Sequence, residues 1–252
     1  MAKRNAAWPD LRRMRLDMST AHDSSLTPFF PVQFASTELH SGDRMSRAEF
    51  HERYAKTADP FRAELIGGTV YVASPSRALH ALGFTPLLTL CGLYESRTPG
   101  VEAGAEATVQ LGPDSEPQPD IFVRIRPDRG GQSGTSPDGY ITGAPELLIE
   151  IAHSSRSIDL HAKRDDYRRY GVREYLVVSV EERKVFWFDL AADEPLTIAP
   201  DNIIRVRTFP GLWIDEAALF ERDFTRLFAA LERGLATADH AAFRDTLAKP
   251  QA

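Results

Sequence analysis

Two acidic side chains occur where apolar runs predict buried strands. Glu150 lies inside the run PELLIEIA, and Asp120 stands directly before the run IFVRI. An ionised carboxylate that leaves water needs a cation or several hydrogen-bond donors close to it. If the two runs form neighbouring strands, about 4.8 Å apart, both acids can point to the same face of the sheet. The pair therefore predicts a site for a hard divalent cation such as Mg2+, which prefers oxygen ligands.

A lysine follows these acids at helical spacing. Asp159, Lys163 and Tyr167 are four residues apart in the segment after Glu150, so they share one stripe of the predicted helix. Strand alternation places small Ala152 on the same face as Glu150. Lys163 could therefore lean over the sheet towards the acids, where it would orient a water or stabilise charge on a phosphoryl oxygen.

Each of these residues also has a structural interpretation. Taken alone, the Asp159, Lys163 and Tyr167 stripe is more typical of a solvated helix face, where such pairs contribute about 0.2 to 0.5 kcal/mol. Asp120 follows a proline and could end a turn. Glu150 could lie on the exposed face of an antiparallel sheet, although its neighbours on both faces are apolar.

Apolar periodicity and turn residues predict the elements that would position these groups. A β-α-β unit spans 146–180, with the helix closed by Gly171, and the long apolar helix over 76–96 is expected to kink or split at Pro86. The Gly- and Ser-rich segment 128–144 is expected to be a mobile loop, and so a possible flap. The remaining elements are a helix capped by Ser46, a hairpin turning at Gly67 and Gly68, strands at 101–111 and 120–127, and extended hairpin segments at 183–190 and 202–210. An amphipathic helix is predicted at 215–235, and it could pack on its own core or on a second copy of the chain.

The whole-chain composition limits the function classes. The 252 residues carry a net charge of -6, which excludes a broad basic surface for nucleic acid but leaves room for a local groove. Arg164, Arg168 and Arg169 could line such a groove or form a solvated helix face. A single cysteine rules out an internal disulfide, and the scattered histidines do not have zinc-ligand spacing. With neither an apolar run of membrane length nor a secretory signal, the expected location is the cytoplasm.

Taken together, the order of these residues resembles a known family. Glu64 in AELIGG, His80, Pro119-Asp120, LLIEI around Glu150, and the later YGVREYLVV follow the pattern of the Uma-type branch of the PD-(D/E)XK restriction-endonuclease-like superfamily. Asp159, Lys163 and Tyr167 match it as well. The resemblance covers roughly residues 45–220.

The resemblance implies an α/β fold with a restriction-endonuclease-like core: a mixed sheet flanked by helices, with added hairpin strands. It implies catalytic roles for Glu64, Asp120, Glu150 and Lys163, with the three acids around Mg2+, or Mn2+ as a substitute. The superfamily lysine normally stands two residues after the glutamate, where this chain has Ala152, so Lys163 would replace it from the helix. Asp159 and Tyr167 would support the site, and His80 would either contact substrate or serve in packing or capping.

Some features depart from the family pattern. The chain reads EIAHSS after the glutamate, where His153 and Ser154 replace the usual serine and proline. Three parts are expected: an extension at 1–40 that is poorly ordered or loosely packed, a restriction-endonuclease-like domain at 41–220, and a C-terminal helix and tail at 221–252.

Two functions follow from the resemblance. The first is a Mg2+-dependent nuclease in which a metal-activated water hydrolyses a phosphodiester bond; its partner would be nucleic acid, with DNA expected, and no membrane. The second is a catalytically silent nuclease-like fold that binds nucleic acid or protein. A homodimer is expected in either case.

Overall fold

A six-stranded mixed sheet forms the centre of the computed structural model, which describes residues 38–74, 78–152 and 155–249. Its strand order is β11-β10-β9-β8-β5-β3, and β8 and β9 form the parallel pair while the other neighbours are antiparallel. The predicted mixed sheet is confirmed. These strands are β3 (Val101–Ala105), β5 (Ile121–Ile125), β8 (Leu147–Ala152), β9 (Glu174–Ser179), β10 (Lys184–Asp189) and β11 (Glu194–Pro195).

Helices and smaller sheets surround this sheet. The helices are α1 (Arg47–Tyr54), α2 (Ala78–Arg97), α3 (Arg156–Ile158), α4 (Arg164–Arg169), α5 (Glu216–Glu221), α6 (Phe224–Leu235) and α7 (Ala238–Leu247). The further strands are β1 (Ala63–Ile66), β2 (Thr69–Val72), β4 (Val109–Gln110), β6 (Gly134–Thr135), β7 (Ile141–Thr142), β12 (Ile203–Arg205) and β13 (Trp213–Asp215). Within the described ranges, no helix has the length and apolar character needed to cross a membrane.

Both faces of the central strand β8 are buried. Leu147, Ile149 and Ile151 enter a core cluster with α2 and the C-terminal helices, whereas Leu148 and Ala152 enter a second cluster that includes Tyr167. Because β8 alternates between two packed faces, its sequence is a nearly continuous apolar run. Glu150 projects from the second face, so its carboxylate lies between strand and helix rather than in solvent.

The β1–β2 hairpin and α1 form as predicted. Gly67 and Gly68 take positive φ angles of 54° and 77° in the turn, a region that side chains with a Cβ rarely occupy. The Ser46 hydroxyl accepts the Glu49 N–H at 3.3 Å and caps α1. Glu64 therefore lies on the first arm of a well-defined hairpin.

Helix α2 runs through Pro86 as one helix, so the predicted split does not occur. A proline lacks an N–H and leaves the carbonyl four residues earlier without its helical partner. Here that carbonyl belongs to Leu82, and the Arg222 guanidinium donates a hydrogen bond to it. A donor from a distant part of the chain thus replaces the missing bond.

The segment 128–144, predicted from its composition to be a mobile loop, contains two short strands. Strands β6 and β7 form a three-stranded sheet with β4. Arg124 donates to the Gly134 carbonyl at 2.8 Å, and the buried Glu146 side chain accepts the Gln132 N–H at 3.0 Å. Both anchors lie just outside the segment, so the composition of the segment itself did not reveal them.

The C-terminal region is also more divided than predicted. Arg222 takes a left-handed conformation that ends α5, and Asp223 caps α6 by accepting the Arg226 N–H at 3.0 Å. Leu227 and Leu231 of α6 are buried in the first core cluster, so this helix packs on its own core.

Two parts of the sequence prediction lie outside the described residues. They are almost all of the extension at 1–40, and the residues His153 and Ser154.

A buried acid connects α4 to the chain beside the hairpin. The Ser115 hydroxyl donates to the Asp166 carboxylate at 2.5 Å, and the second carboxylate oxygen is buried without a hydrogen-bond partner. Burial raises the pKa of Asp166 from 3.8 to about 6. This contact helps to set the position of α4, which directly follows Lys163.

We expect Asp166→Asn to remove a pH-dependent loss of stability. Because the pKa of Asp166 is higher in the folded state, the protonated side chain contributes its full stabilisation below about pH 4. This stabilisation is lost as the pH rises through about 6. The free energy of unfolding, measured with urea from pH 4 to pH 8, should therefore increase for the variant relative to the wild type as the pH rises. Exposed Asp165→Asn is the control, and identical pH profiles for wild type and Asp166→Asn would contradict the assignment.

Candidate active site

Asp120 and Glu150 come together because β5 and β8 are antiparallel neighbours. Ile121 pairs with Ile149, so the next step of this register sets Asp120 opposite Glu150. The Ile151 N–H donates to the Asp120 carboxylate at 2.7 Å and holds it at this end of the strand pair. The predicted neighbourhood of the two strands is confirmed.

Lys163 lies between carboxylates from two other elements. Its ammonium is 2.8 Å from Glu64 Oε2 on β1 and 3.0 Å from Glu150 Oε1 on β8. The lysine side chain is only 6% exposed. Burial lowers the pKa of Lys163, but Glu150, Glu64 and Asp159 together raise it well above its usual value, so the amine remains an ammonium.

Glu64 and Glu150 each have a second donor that fixes the carboxylate. The Gln118 backbone N–H donates to Glu64 Oε1 at 2.7 Å, and the Tyr167 hydroxyl donates to Glu150 Oε1 at 2.7 Å. Burial raises the pKa of Tyr167 well above its usual range, which keeps the phenol protonated as a donor. The two glutamates are therefore oriented by the protein as well as by Lys163.

Asp159 and Lys163 begin and end a π-helical turn between α3 and α4. Such wide turns are rare in proteins overall, and those that occur are often found at functional sites. Ser155 donates to Asp159 Oδ2 at 2.6 Å, whereas Oδ1 is buried without a hydrogen-bond partner, 3.9 Å from the Lys163 ammonium. Burial raises the pKa of Asp159 from 3.8 to about 6.

His80, in the first turn of α2, contacts the same site. Its Nε2 is 3.0 Å from Asp120 Oδ1, and its ring stacks on Phe84. The hydrogen bond to Asp120 raises the pKa of His80 above 6.5, against the opposing effect of burial. His80 thus both packs on α2 and orients the aspartate.

The structure brings all seven predicted residues into one region: Glu64, His80, Asp120, Glu150, Asp159, Lys163 and Tyr167. The stripe formed by Asp159, Lys163 and Tyr167 is buried against Glu150 rather than solvated. Sequence reasoning missed Gln118 and Ser155, which orient Glu64 and Asp159. The position of Ser155, four residues before Asp159, was the available signal for the second; the backbone donor Gln118 left none.

The three arginines of α4 do not form an open basic groove. Arg164 and Arg168 pair with Asp193 at 2.8 and 3.1 Å, and Arg169 pairs with Asp114 at 2.9 Å. These exposed or half-buried pairs favour the solvated helix face over the groove.

The oxygen ligands of the site suit a hard cation, but the Lys163 ammonium already occupies two of the carboxylates. Glu64, Asp120, Glu150 and Asp159 supply only carboxylate oxygens, which Mg2+ prefers. Burial raises the pKa of Glu150 well above its usual range; Lys163 opposes this shift, and the neighbouring acids Asp120, Asp159 and Glu64 add to it. With the Lys163 ammonium on Glu64 and Glu150, no three His, Cys, Asp or Glu side chains across the described ranges are grouped so that they could hold a metal ion.

Comparison with known proteins identifies the family. The family model Uma2, described as "Putative restriction endonuclease", matches residues 47–217. The chain belongs to the Uma2 family. The matched range begins at α1 and ends within α5, so it contains every residue of the site.

A solved structure shares the Uma2 chain's fold. It is a crystal structure of "a putative nuclease belonging to DUF820" from Anabaena variabilis ATCC 29413, with a TM-score of 0.56 and 20% sequence identity. The alignment covers 70% of this chain and 98% of that one. No curated protein sequence matches this chain.

Two buried glutamates of the Uma2 chain allow a matched stability test. Glu150 faces other acids, whereas Glu146 accepts two backbone N–H groups, from Ile125 at 2.9 Å and Gln132 at 3.0 Å. We expect Glu150→Gln to raise the melting temperature in metal-free buffer at pH 8, because ionised Glu150 is costly there. Glu146→Gln should lower it, since an amide group then faces an N–H, a loss of about 1–3 kcal/mol.

Differential scanning calorimetry of both variants and the wild type measures this contrast. A change of 1 kcal/mol corresponds to about 2–4 °C for a chain of this size. A lower melting temperature for Glu150→Gln would show that Lys163 and Tyr167 more than offset the burial of that carboxylate.

Proposed function

We propose that this protein is a Mg2+-dependent endonuclease that hydrolyses DNA phosphodiester bonds. The observation that carries the proposal is the buried contact of Lys163 with Glu64 and Glu150, next to Asp120, at the junction of β1, β5, β8 and the π turn. A structural ion pair would not require this excess of buried acids, since unpaired buried charge destabilises a fold. Membership of a family described as "Putative restriction endonuclease" supports the same reaction class.

Glu64, Asp120 and Glu150 would hold the Mg2+ or, in its place, Mn2+. When bound, the ion would supply positive charge for the phosphoryl oxygens and lower the pKa of a water ligand. The fit rests on the all-oxygen donor set and on the surplus of carboxylates around the Lys163 ammonium.

The chain's own residues have separable roles in this proposal. Lys163 would orient the attacking water or stabilise negative charge that develops on phosphate, because its ammonium is a charged donor beside the carboxylates. Tyr167 and the Gln118 N–H hold the glutamates in place. His80 holds Asp120 and would lie close to substrate, since its side chain is 21% exposed and the acids beyond it are more buried.

A binding module without cleavage is the second candidate. The observation that favours it is the ammonium of Lys163 on the same glutamates that would hold the ion. In that case the acids and the lysine would form a closed ion-pair network, and the partner would bind at another surface. The nuclease assay below separates the two candidates.

Cleavage of supercoiled and linear DNA by the purified protein tests the proposal. We expect cleavage with Mg2+ or Mn2+, none in excess EDTA, and a rate at least about a hundredfold lower for Asp120→Asn and Lys163→Met. Asp165→Asn, on the exposed side of the same helix, should cleave like wild type. Equal cleavage by all four proteins would mark a contaminant, and a wild type that cleaves neither DNA with either metal ion would favour the binding module.

A homodimer through α2 is also part of the proposal. The exposed large hydrophobic side chains among the described residues, Leu79, Leu82 and Leu93, all lie on this helix. No Asp, Glu, Lys or Arg occurs from Ala78 to Tyr94. In a twofold interface the same surface meets itself, so a face without charge avoids opposing like charges.

The cytoplasm is the proposed compartment, consistent with a single free cysteine.

We expect Leu82→Glu to convert a dimer into a monomer, because it places two carboxylates against each other across the twofold interface. Light scattering after size exclusion measures the mass. Ala192→Glu, an exposed position on the turn after β10, should leave the dimer intact. A monomeric wild type at micromolar concentration would rule out this interface.

A further inference from the structure

Lys163 occupies the two glutamates that the proposed cation requires. Its ammonium lies 2.8 Å from Glu64 Oε2 and 3.0 Å from Glu150 Oε1, in a buried setting. An ammonium and a divalent cation on the same carboxylate oxygens repel each other strongly where water is excluded. A functional site with this geometry therefore needs another acceptor for the lysine.

Asp159 supplies an acceptor that has no other use in the structure. Its Oδ1 is buried and has no hydrogen-bond partner, and it lies 3.9 Å from the Lys163 ammonium, just beyond hydrogen-bond distance. The other oxygen, Oδ2, accepts the Ser155 hydroxyl at 2.6 Å, which fixes the carboxylate with Oδ1 near the lysine. A buried carboxylate oxygen is costly when it stays unpaired.

The glutamates would stay in position when the lysine moves away. Glu64 keeps the Gln118 N–H on Oε1, and Glu150 keeps the Tyr167 hydroxyl. The lysine has a flexible four-carbon stem and needs a shift of only about 1 Å to come within hydrogen-bond distance of Asp159. Neither the sheet nor the hairpin has to rearrange.

We propose that Asp159 is the second acceptor of the Lys163 ammonium, which pairs with Glu64 and Glu150 in the metal-free protein and moves to Asp159 when a divalent cation occupies these glutamates. This inference rests on the proposed function. Asp159 is a positioning residue in it: the residue acts on the cation through Lys163 and is not itself a ligand.

A double-mutant cycle in Mn2+ affinity tests the coupling. Isothermal titration compares wild type, Asp159→Asn, Lys163→Met and the double variant, with Asp165→Asn as the exposed control. We expect Asp159→Asn to weaken Mn2+ binding by about tenfold in the wild-type background, because the lysine then remains on the glutamates. In the Lys163→Met background the same change should have a much smaller effect.

The outcomes separate the inference from the proposed function. An equal loss of Mn2+ affinity in both backgrounds would make Asp159 act on the cation directly, and no loss in either would remove its role; each overturns the inference alone. A wild type that binds no Mn2+ would overturn both the inference and the metal dependence of the proposed function.

A crystal structure of the wild type with Mn2+ provides a test that does not depend on the stability of variants. The expected result is a hydrogen bond from the Lys163 ammonium to Asp159 Oδ1, with Ser155 still on Oδ2. An ammonium that stays on Glu150 beside the bound cation would overturn the inference.

Discussion

A buried lysine ammonium has to be paired, and this requirement joins the elements of the site. Lys163 receives Glu64 from the β1–β2 hairpin and Glu150 from the central strand β8, while its own helix supplies Asp159. Loss of the lysine would leave these carboxylates close together without a cation, in a region from which water is excluded, which is costly. The position of the hairpin relative to the sheet, and of the π turn relative to β8, is therefore linked to one charged group.

The scaffold around this group is built from hydrogen bonds that orient it. Gln118 and Tyr167 fix the two glutamates, the Ile151 N–H fixes Asp120, and Ser155 fixes Asp159. Ile151 lies in β8 and Tyr167 in α4, Ser155 directly precedes α3, and Gln118 lies three residues before β5. Such support is what keeps a site close to its working geometry. The shared fold with a protein of 20% identity is consistent with a scaffold that tolerates wide sequence change.

The charge of the site also limits how nucleic acid could approach. The chain has a net charge of -6, and the arginines of α4 are paired with Asp193 and Asp114. A phosphate backbone would therefore find little sequence-independent attraction on this side of the molecule. Any affinity for nucleic acid would depend on neutralising the buried acids, so substrate binding and cation binding would be coupled electrostatically.

Short-range patterns in the sequence determined much of this structure. The Ser46 cap, the Gly67-Gly68 turn, the alternation in β8 and the β-α-β unit were all predicted, and the family resemblance selected the seven site residues. The sequence left it undecided whether Asp159, Lys163 and Tyr167 face solvent or face Glu150. A four-residue spacing puts the three side chains on one helix face in either case. The order in segment 128–144, the intact helix at Pro86 and the π turn likewise came only with the tertiary structure. In the first two cases the stabilising partners, Glu146 and Arg222, lie outside the segment that they stabilise. Local spacing records which side chains share a face, but the partner of that face is set by long-range packing and by the cost of leaving a buried polar group unpaired.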